Sequence, residues 1–123
     1  MTFDEIREIA LALPNVEEHQ IFGGPTFKIG KRFLACIAKI DKDTLVLKVP
    51  DRLEREFLLA TKPDIYYLTD HYATFECVLV RMPKADREEL RDLFEQAWRI
   101  YAPKRLVANY PKGTLNLQQK LSE

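Results

Sequence analysis

The feature that most constrains the fold of this chain is an apolar stripe near its C-terminal end. Its members recur at the spacing of an α-helix: Leu90, Leu93, Phe94, Ala97, Trp98 and Tyr101. Such a helix must bury its apolar face against another layer of structure. The single tryptophan, Trp98, lies on this stripe, so we predict that its side chain is largely buried. Ala102 and Pro103 end the helix.

Residues 19–50 predict strands. Turn signals at Gly23-Gly24-Pro25 and Gly30-Lys31 divide the segment into short pieces. Phe27 and Ile29 alternate with polar neighbours, which indicates one buried face. The run RFLACIAKI, residues 32–40, is apolar at odd and even positions alike, which predicts a central strand covered on both sides. A further alternating strand follows at 45–49.

Two more helices and two more strands are expected. Thr2 and Glu5 form a capping-box pattern ahead of a first helix that Pro14 ends. A second helix follows Asp51, with an apolar stripe made of Leu53, Phe57 and Ala60. The runs IYYLTDHY, 65–72, and ATFECVLVRM, 73–82, predict strands, and KRLVANY, 104–110, predicts a short turn or helix.

The predicted order is helix, several strands, helix, two strands, helix. Short connections favour antiparallel pairing, so we predict an α+β fold whose antiparallel sheet of about five or six strands packs against helices. A chain of 123 residues fits a single domain, 1–123, whose tail from about residue 112 is expected to fray. Because there is no apolar leader and no apolar run of roughly 20 residues, we expect a soluble, cytoplasmic protein without a membrane partner.

The net charge is zero, from 19 basic and 19 acidic residues, which argues against a general binder of polyanions. The charges are unevenly distributed, however. Six basic residues lie in 28–48, namely Lys28, Lys31, Arg32, Lys39, Lys42 and Lys48, and four lie in 99–112, namely Arg99, Lys104, Arg105 and Lys112. These segments are either ordinary solvated faces or two parts of one basic surface. Nearby tyrosines either add stacking groups to such a surface or cover a sheet face.

The residues that usually carry metal or nucleophilic chemistry are scattered. Neither the cysteines, Cys36 and Cys77, nor the histidines, His19 and His71, form a pair at metal-ligand spacing. Both cysteines lie inside apolar runs with no neighbouring base, which is typical of reduced core thiols. A nucleophile, a base and an orienting group do not occur in a recognisable pattern. We therefore expect no metal, no cofactor and no enzyme activity.

The triplet Asp70-His71-Tyr72 precedes the apolar run of the last predicted strand. It is compatible with an acid–base group, half of a metal site or the beginning of a strand. We predict the third: His71 opens the strand, its ring bonds the backbone or Asp70, and Tyr72 packs beneath it. On this interpretation the pair forms a structural corner beside a groove or pocket.

Several segments, taken in order, resemble the MmcQ/YjbR family over roughly residues 3–112. They are LPNVEEHQIFGGPTFKIGKRFLACI, 13–37, YYLTDHY, 66–72, and LFEQAWRIYAPKRLVANY, 93–110. The shared pattern is an early helix ending in Leu-Pro, a Pro-Thr-Phe strand near a glycine, a His-aromatic pair, and a C-terminal helix before a basic Lys-Arg-Leu-Val segment. Family members commonly carry His-Trp where this chain has His71-Tyr72.

The resemblance implies a secretion-chaperone-like α+β fold and a DNA-binding role with a so-called double-wing arrangement. Our first interpretation is therefore a nucleic-acid-binding or regulatory module with weak phosphate contacts through the basic residues Lys28, Lys31, Arg32, Lys104 and Arg105. The second is a protein-interaction domain with an exposed apolar or aromatic patch. The third is a small-ligand binder or enzyme with a pocket near His71.

Overall fold

The structure is a computed structural model that describes residues 1–21, 24–38 and 41–110. The helices are α1 (Phe3–Leu11), α2 (Arg52–Thr61), α3 (Arg87–Tyr101) and α4 (Lys104–Asn109), with a 3-10 turn at Met82–Lys84. The strands are β1 (Val16–Ile21), β2 (Gly24–Ile29), β3 (Arg32–Ile37), β4 (Thr44–Lys48), β5 (Tyr66–Tyr67) and β6 (Cys77–Arg81). The tail predicted to fray lies outside the described residues.

The six strands form one antiparallel sheet in the order β1-β2-β3-β4-β6-β5. The first four strands are consecutive neighbours, as short turns require. The chain then leaves β4 through α2 and returns on the far side of β6, which places β5 at an edge. This architecture confirms the predicted α+β fold and the predicted sheet of five or six strands.

One face of the sheet, which we call the helix face, packs against the helices and forms the main core. Strand residues such as Phe27, Leu47 and Val78 meet the apolar stripe of α3 there. Trp98 is 0% exposed, which confirms the prediction from the stripe. Its indole Nε1–H donates to the carbonyl oxygen of Pro14 at 2.9 Å, so the ring also fixes the chain between α1 and β1.

The helix starts follow the sequence closely. Thr2 and Glu5 form the predicted reciprocal capping box at α1. The side chains of Asp51 and Asp86 accept from backbone N–H groups in the first turns of α2 and α3. Each cap supplies an acceptor for a backbone donor that the helix itself leaves unpaired.

Helix α2 is oriented differently from the prediction. The stripe predicted from Leu53, Phe57 and Ala60 faces solvent: Leu53 is 81% exposed and Phe57 is 58% exposed. The buried residues of α2 are instead Leu58 and Arg55. Periodicity favoured the wrong face because a charged residue counts as polar in any such pattern, whereas this arginine is held by buried carbonyl groups.

The opposite face of the sheet, which we call the open face, carries a smaller apolar cluster of Ala38, Val46, Cys77 and Leu79. Among the described residues, partly buried side chains from β3, β5 and the β5–β6 connection pack against it, namely Phe33, Cys36, Tyr67 and Tyr72. The prediction that β3 is covered on both sides is therefore correct for the helix face and only partly correct for the open face.

Candidate functional site

The structure brings the two basic segments of the sequence together at one end of the sheet. The β2–β3 turn supplies Lys31 and Arg32, and the start of α4 supplies Lys104. These three side chains line a cleft of about 410 Å³. Arg32 also donates to the carbonyl oxygen of Tyr101 at 3.3 Å, which joins β3 to the C-terminal end of α3. Among the described residues that line this cleft there is no carboxylate.

The other two predicted basic residues lie nearby in different settings. Lys28 lines a neighbouring cleft of about 430 Å³ on the open face, and Lys31 belongs to both clefts. Arg105 is exposed and follows Lys104 in α4, outside the described lining of the first cleft. The structure thus unites Lys31, Arg32 and Lys104 and connects Lys28 to them through Lys31.

Strand alternation places Lys28 on the open face, and a β-bulge in β3 brings Phe33 beside it. The pairing of β2 with β3 shifts between Phe27 and Lys28, so that Lys28 lies opposite Phe33. Lys28 projects from the open face because it follows Phe27 in the strand. Phe33 projects from the same face because the extra residue in β3 lets both Leu34 and Ala35 face the main core. A lysine and an aromatic ring consequently stand side by side on the open face.

The prediction that His71 opens a strand is wrong. Strand β6 begins at Cys77, and residues 70–76 form a series of turns that pass across the open face. In the part of the chain that the structure describes, the His71 ring makes no hydrogen bond. It meets the Tyr72 ring edge-on, with the centroids 4.7 Å apart. The turn residues Asp70 and Thr69 use their carbonyl groups, not their side chains, to hold the turns.

His71 and Tyr72 nevertheless line clefts, as the pocket interpretation predicted. They border the 430 Å³ cleft with Lys28 and also a second open-face cleft of about 340 Å³. Phe33 and Cys36 belong to both as well, so the two clefts form one continuous depression. Lys48 and Glu76 stand at the end of the depression farther from Lys28.

Arg55 is the residue of this region that sequence reasoning missed. Its guanidinium group is buried and donates to the carbonyl oxygens of Phe75 at 2.6 Å, Ala73 at 3.3 Å and Cys77 at 3.3 Å. These bonds fasten the 70–76 turns to α2 and so build one wall of the depression. The local sequence gives no signal of this role, because Arg55 stands between Glu54 and Glu56 in an amphipathic helix.

The thiols beneath the depression are unsuited to nucleophilic attack. Burial raises the pKa of Cys36 to about 11, with a smaller contribution from Cys77. Burial likewise raises the pKa of the Cys77 thiol. Since the thiolate is the reactive form, burial disfavours nucleophilic attack by both residues.

Neither a cluster of metal ligands nor a membrane-spanning helix occurs in the ranges 1–21, 24–38 and 41–110. No group of three or more His, Cys, Asp or Glu side chains in these ranges is arranged to hold a metal ion. Within the same ranges, no helix combines the length and apolar character needed to cross a bilayer.

Replacing His71 with alanine should change the free energy of unfolding by less than about 0.5 kcal/mol, the usual range for a surface substitution. The ring is exposed and makes no hydrogen bond within the described chain, so the cost of a lost hydrogen bond, expected from the sequence, does not arise. Urea denaturation followed by circular dichroism measures the difference. A loss above about 1 kcal/mol would mean that the edge-on contact with Tyr72 holds the turns in place.

The fold is shared with a solved structure. A Deinococcus radiodurans protein, DR2400, whose domain matches the family model DUF419, superimposes with a TM-score of 0.70. The match covers 96% of this chain and 88% of that chain at 22% sequence identity. This likeness shows that the two proteins belong to the same class of α+β fold.

A family model described as YjbR matches residues 11–100. The chain therefore belongs to the MmcQ/YjbR family, which confirms the resemblance seen in the sequence. Curated relatives include the uncharacterized proteins Rv2570 of Mycobacterium tuberculosis and Mb2600 of Mycobacterium bovis. Each is 27% identical over 122 residues, covering 86% of this chain and 92% of the relative.

Proposed function

We propose that this protein binds nucleic acid weakly through backbone phosphates and has no catalytic role. The observation that carries the proposal is the basic cleft, in which Lys31, Arg32 and Lys104 converge from segments about seventy residues apart in sequence. Arginine and lysine side chains are the usual partners of phosphate oxygens. Three cations meet in this cleft, and none of the described residues that line it carries a carboxylate. This arrangement favours an anionic ligand.

The surrounding charge keeps the expected affinity low. Glu17 lies directly opposite Lys28 in the β1–β2 ladder, and the net charge of the chain is zero. Long-range attraction of a polyanion is therefore small, and binding depends on short-range contacts in the cleft. Such contacts position a nucleic-acid backbone and carry no sequence information.

We expect binding that weakens steeply with salt. For about three to four phosphate contacts, log K against log[salt] should fall with a slope of roughly −2.7 to −3.6 on duplex DNA. The triple charge reversal Lys31→Glu, Arg32→Glu and Lys104→Glu should abolish most of this slope, because it replaces the cations that release counterions. Fluorescence anisotropy of a labelled duplex, titrated between about 20 and 200 mM salt, measures both quantities.

A matched control changes the same charges elsewhere. Lys42→Glu, Lys84→Glu and Arg91→Glu also reverse two lysines and one arginine, and all three residues are exposed and away from the basic cleft. The control should keep more of the slope than the cleft variant does. Equal losses in the two variants would show that only total charge matters. The proposal would be rejected if neither duplex nor single-stranded DNA bound at about 20 mM salt.

The second candidate is a protein-interaction domain, and the exposed face of α2 favours it. Leu53 and Phe57 are one helical turn apart and both face solvent. Adjacent exposed apolar side chains of this size are typical of contact surfaces. Failure of the DNA titration, together with normal folding, leaves this candidate as the better one.

A further inference from the structure

We infer that the open-face depression receives unpaired bases, so that the preferred ligand is a single-stranded nucleic acid rather than a duplex. The inference rests on the proposed function and specifies its ligand. It begins from the clefts' shared residues: Lys31 links the basic cleft to the 430 Å³ cleft, and Phe33, His71 and Tyr72 extend that cleft into the 340 Å³ cleft. Cations and aromatic rings therefore follow one another along a single path.

The rings along this path are available for stacking. Phe75 is 55% exposed, and its ring centroid lies 6.2 Å from that of His71. His71 is exposed as well, and Tyr72 is half-buried beside it. By contrast, Tyr67 on the same face is already occupied, since its ring carries the Arg81 guanidinium at 4.0 Å and its hydroxyl bonds Thr44 at 3.0 Å.

The basic and aromatic side chains along this path suit a single-stranded nucleic acid. Bases stack on aromatic side chains while basic residues along the groove hold the backbone, and this combination tolerates any sequence. Volumes of about 340 and 430 Å³ lie in the range of sites that enclose small organic groups. In a duplex the base faces are stacked on one another, so a duplex can reach the basic cleft but cannot use these rings.

The turns that present His71 and Phe75 are anchored. Arg55 holds the carbonyl groups of Ala73 and Phe75, and the amide of Phe75 donates to the carbonyl oxygen of Tyr72 at 3.1 Å. Because the backbone that carries the rings is already ordered, less conformational entropy is lost when a base stacks on them, which favours binding. The structure thus contains a prepared stacking surface beside the phosphate contacts.

The test compares two probes on the full chain: a labelled oligothymidylate of about 12 nucleotides, which fits the usual site size, and a duplex of equal length. The variant His71→Ala/Phe75→Ala should weaken binding of the single strand by about 5- to 150-fold for each base that loses its stacking partner. Its duplex affinity should change less than twofold. The matched control is Phe57→Ala, since Phe57 is exposed to a similar degree on α2, outside the clefts.

Each result has a distinct meaning. Loss of single-strand affinity in the cleft variant, with Phe57→Ala unchanged, supports the inference. Salt-dependent binding of both probes that the cleft variant leaves intact overturns the inference and leaves the proposed function standing. Absence of binding to either probe overturns both. Thymidine monophosphate should compete more weakly than oligothymidylate at the same nucleotide concentration, because a strand adds backbone contacts at Lys31. Equal competition by the mononucleotide overturns the assignment to a strand.

Discussion

The variant Trp98→Ala should lose about 3–5 kcal/mol of folding free energy, a large part of the total stability of a domain this size. The indole is completely buried where α3 meets the helix face of the sheet, and its truncation leaves a cavity that close-packed neighbours cannot fill. Removal of the ring also leaves the carbonyl oxygen of Pro14 without its side-chain donor. Tyr110, whose ring centroid is 4.9 Å from that of Trp98, loses its aromatic partner.

Urea denaturation followed by far-UV circular dichroism measures this loss without relying on the tryptophan signal. Phe57→Ala is the matched control, because it truncates an aromatic residue that is 58% exposed, and it should shift stability by no more than about 0.5 kcal/mol. Trp98→Phe should fall between the two, since it keeps most of the ring and loses the hydrogen bond. A Trp98→Ala protein that melts like the parent would contradict the burial of this helix.

The second large effect is expected at Arg55. Arg55→Met should cost about 1.5–3 kcal/mol, the usual value of hydrogen bonds that involve a charged group. Three carbonyl oxygens lose their donor, while methionine fills much of the space of the arginine stem. The net loss stays below the sum of three bonds, because the variant no longer buries a guanidinium group that is 4% exposed and whose Nε has no partner in the described chain.

The effect should be concentrated in the 70–76 turns. Amide hydrogen exchange at Tyr72, Ala73 and Phe75, whose N–H groups close these turns, should accelerate more than exchange in α3. Arg91→Met is the matched control, since Arg91 is exposed and its nearest carboxylate, on Glu88, is 3.8 Å away. Unchanged exchange in the turns of Arg55→Met would show that the turns hold their shape without the arginine.

These two residues also mark the limit of sequence reasoning. Trp98 was predictable because its partners Leu90, Leu93, Phe94 and Ala97 repeat at helical spacing, and a long apolar stripe has one way to be buried. Arg55 was not predictable, because its partners are backbone carbonyl groups 18–22 residues away, and every residue type has such a group. For the same reason, the sequence predicted the wrong buried face of α2.

The candidate site likewise has features that the sequence predicted and features that it did not. The sequence indicated basic residues in two segments, a His-aromatic pair and a family whose fold the structure confirms. It placed His71 at the beginning of a strand, because the alternation that starts at Phe75 looked continuous with it. The turns at 70–76 interrupt that pattern, and Arg55 of α2 donates to carbonyl groups within them.

The sequence alone determined helices α1 to α3, the starts of α1 at Thr2 and of α2 at Asp51, the strands of the β1–β4 region and the burial of Trp98. These features follow from local spacing and capping groups. Only the tertiary structure decided which cations meet and which face of the sheet stays open. Those features depend on the crossover that places β5 beyond β6 and on the docking of α4 beside the β2–β3 turn. Contacts between residues so distant in sequence are set by the packing of whole helices and strands. Such contacts produce no periodic pattern in the local sequence from which they could be predicted.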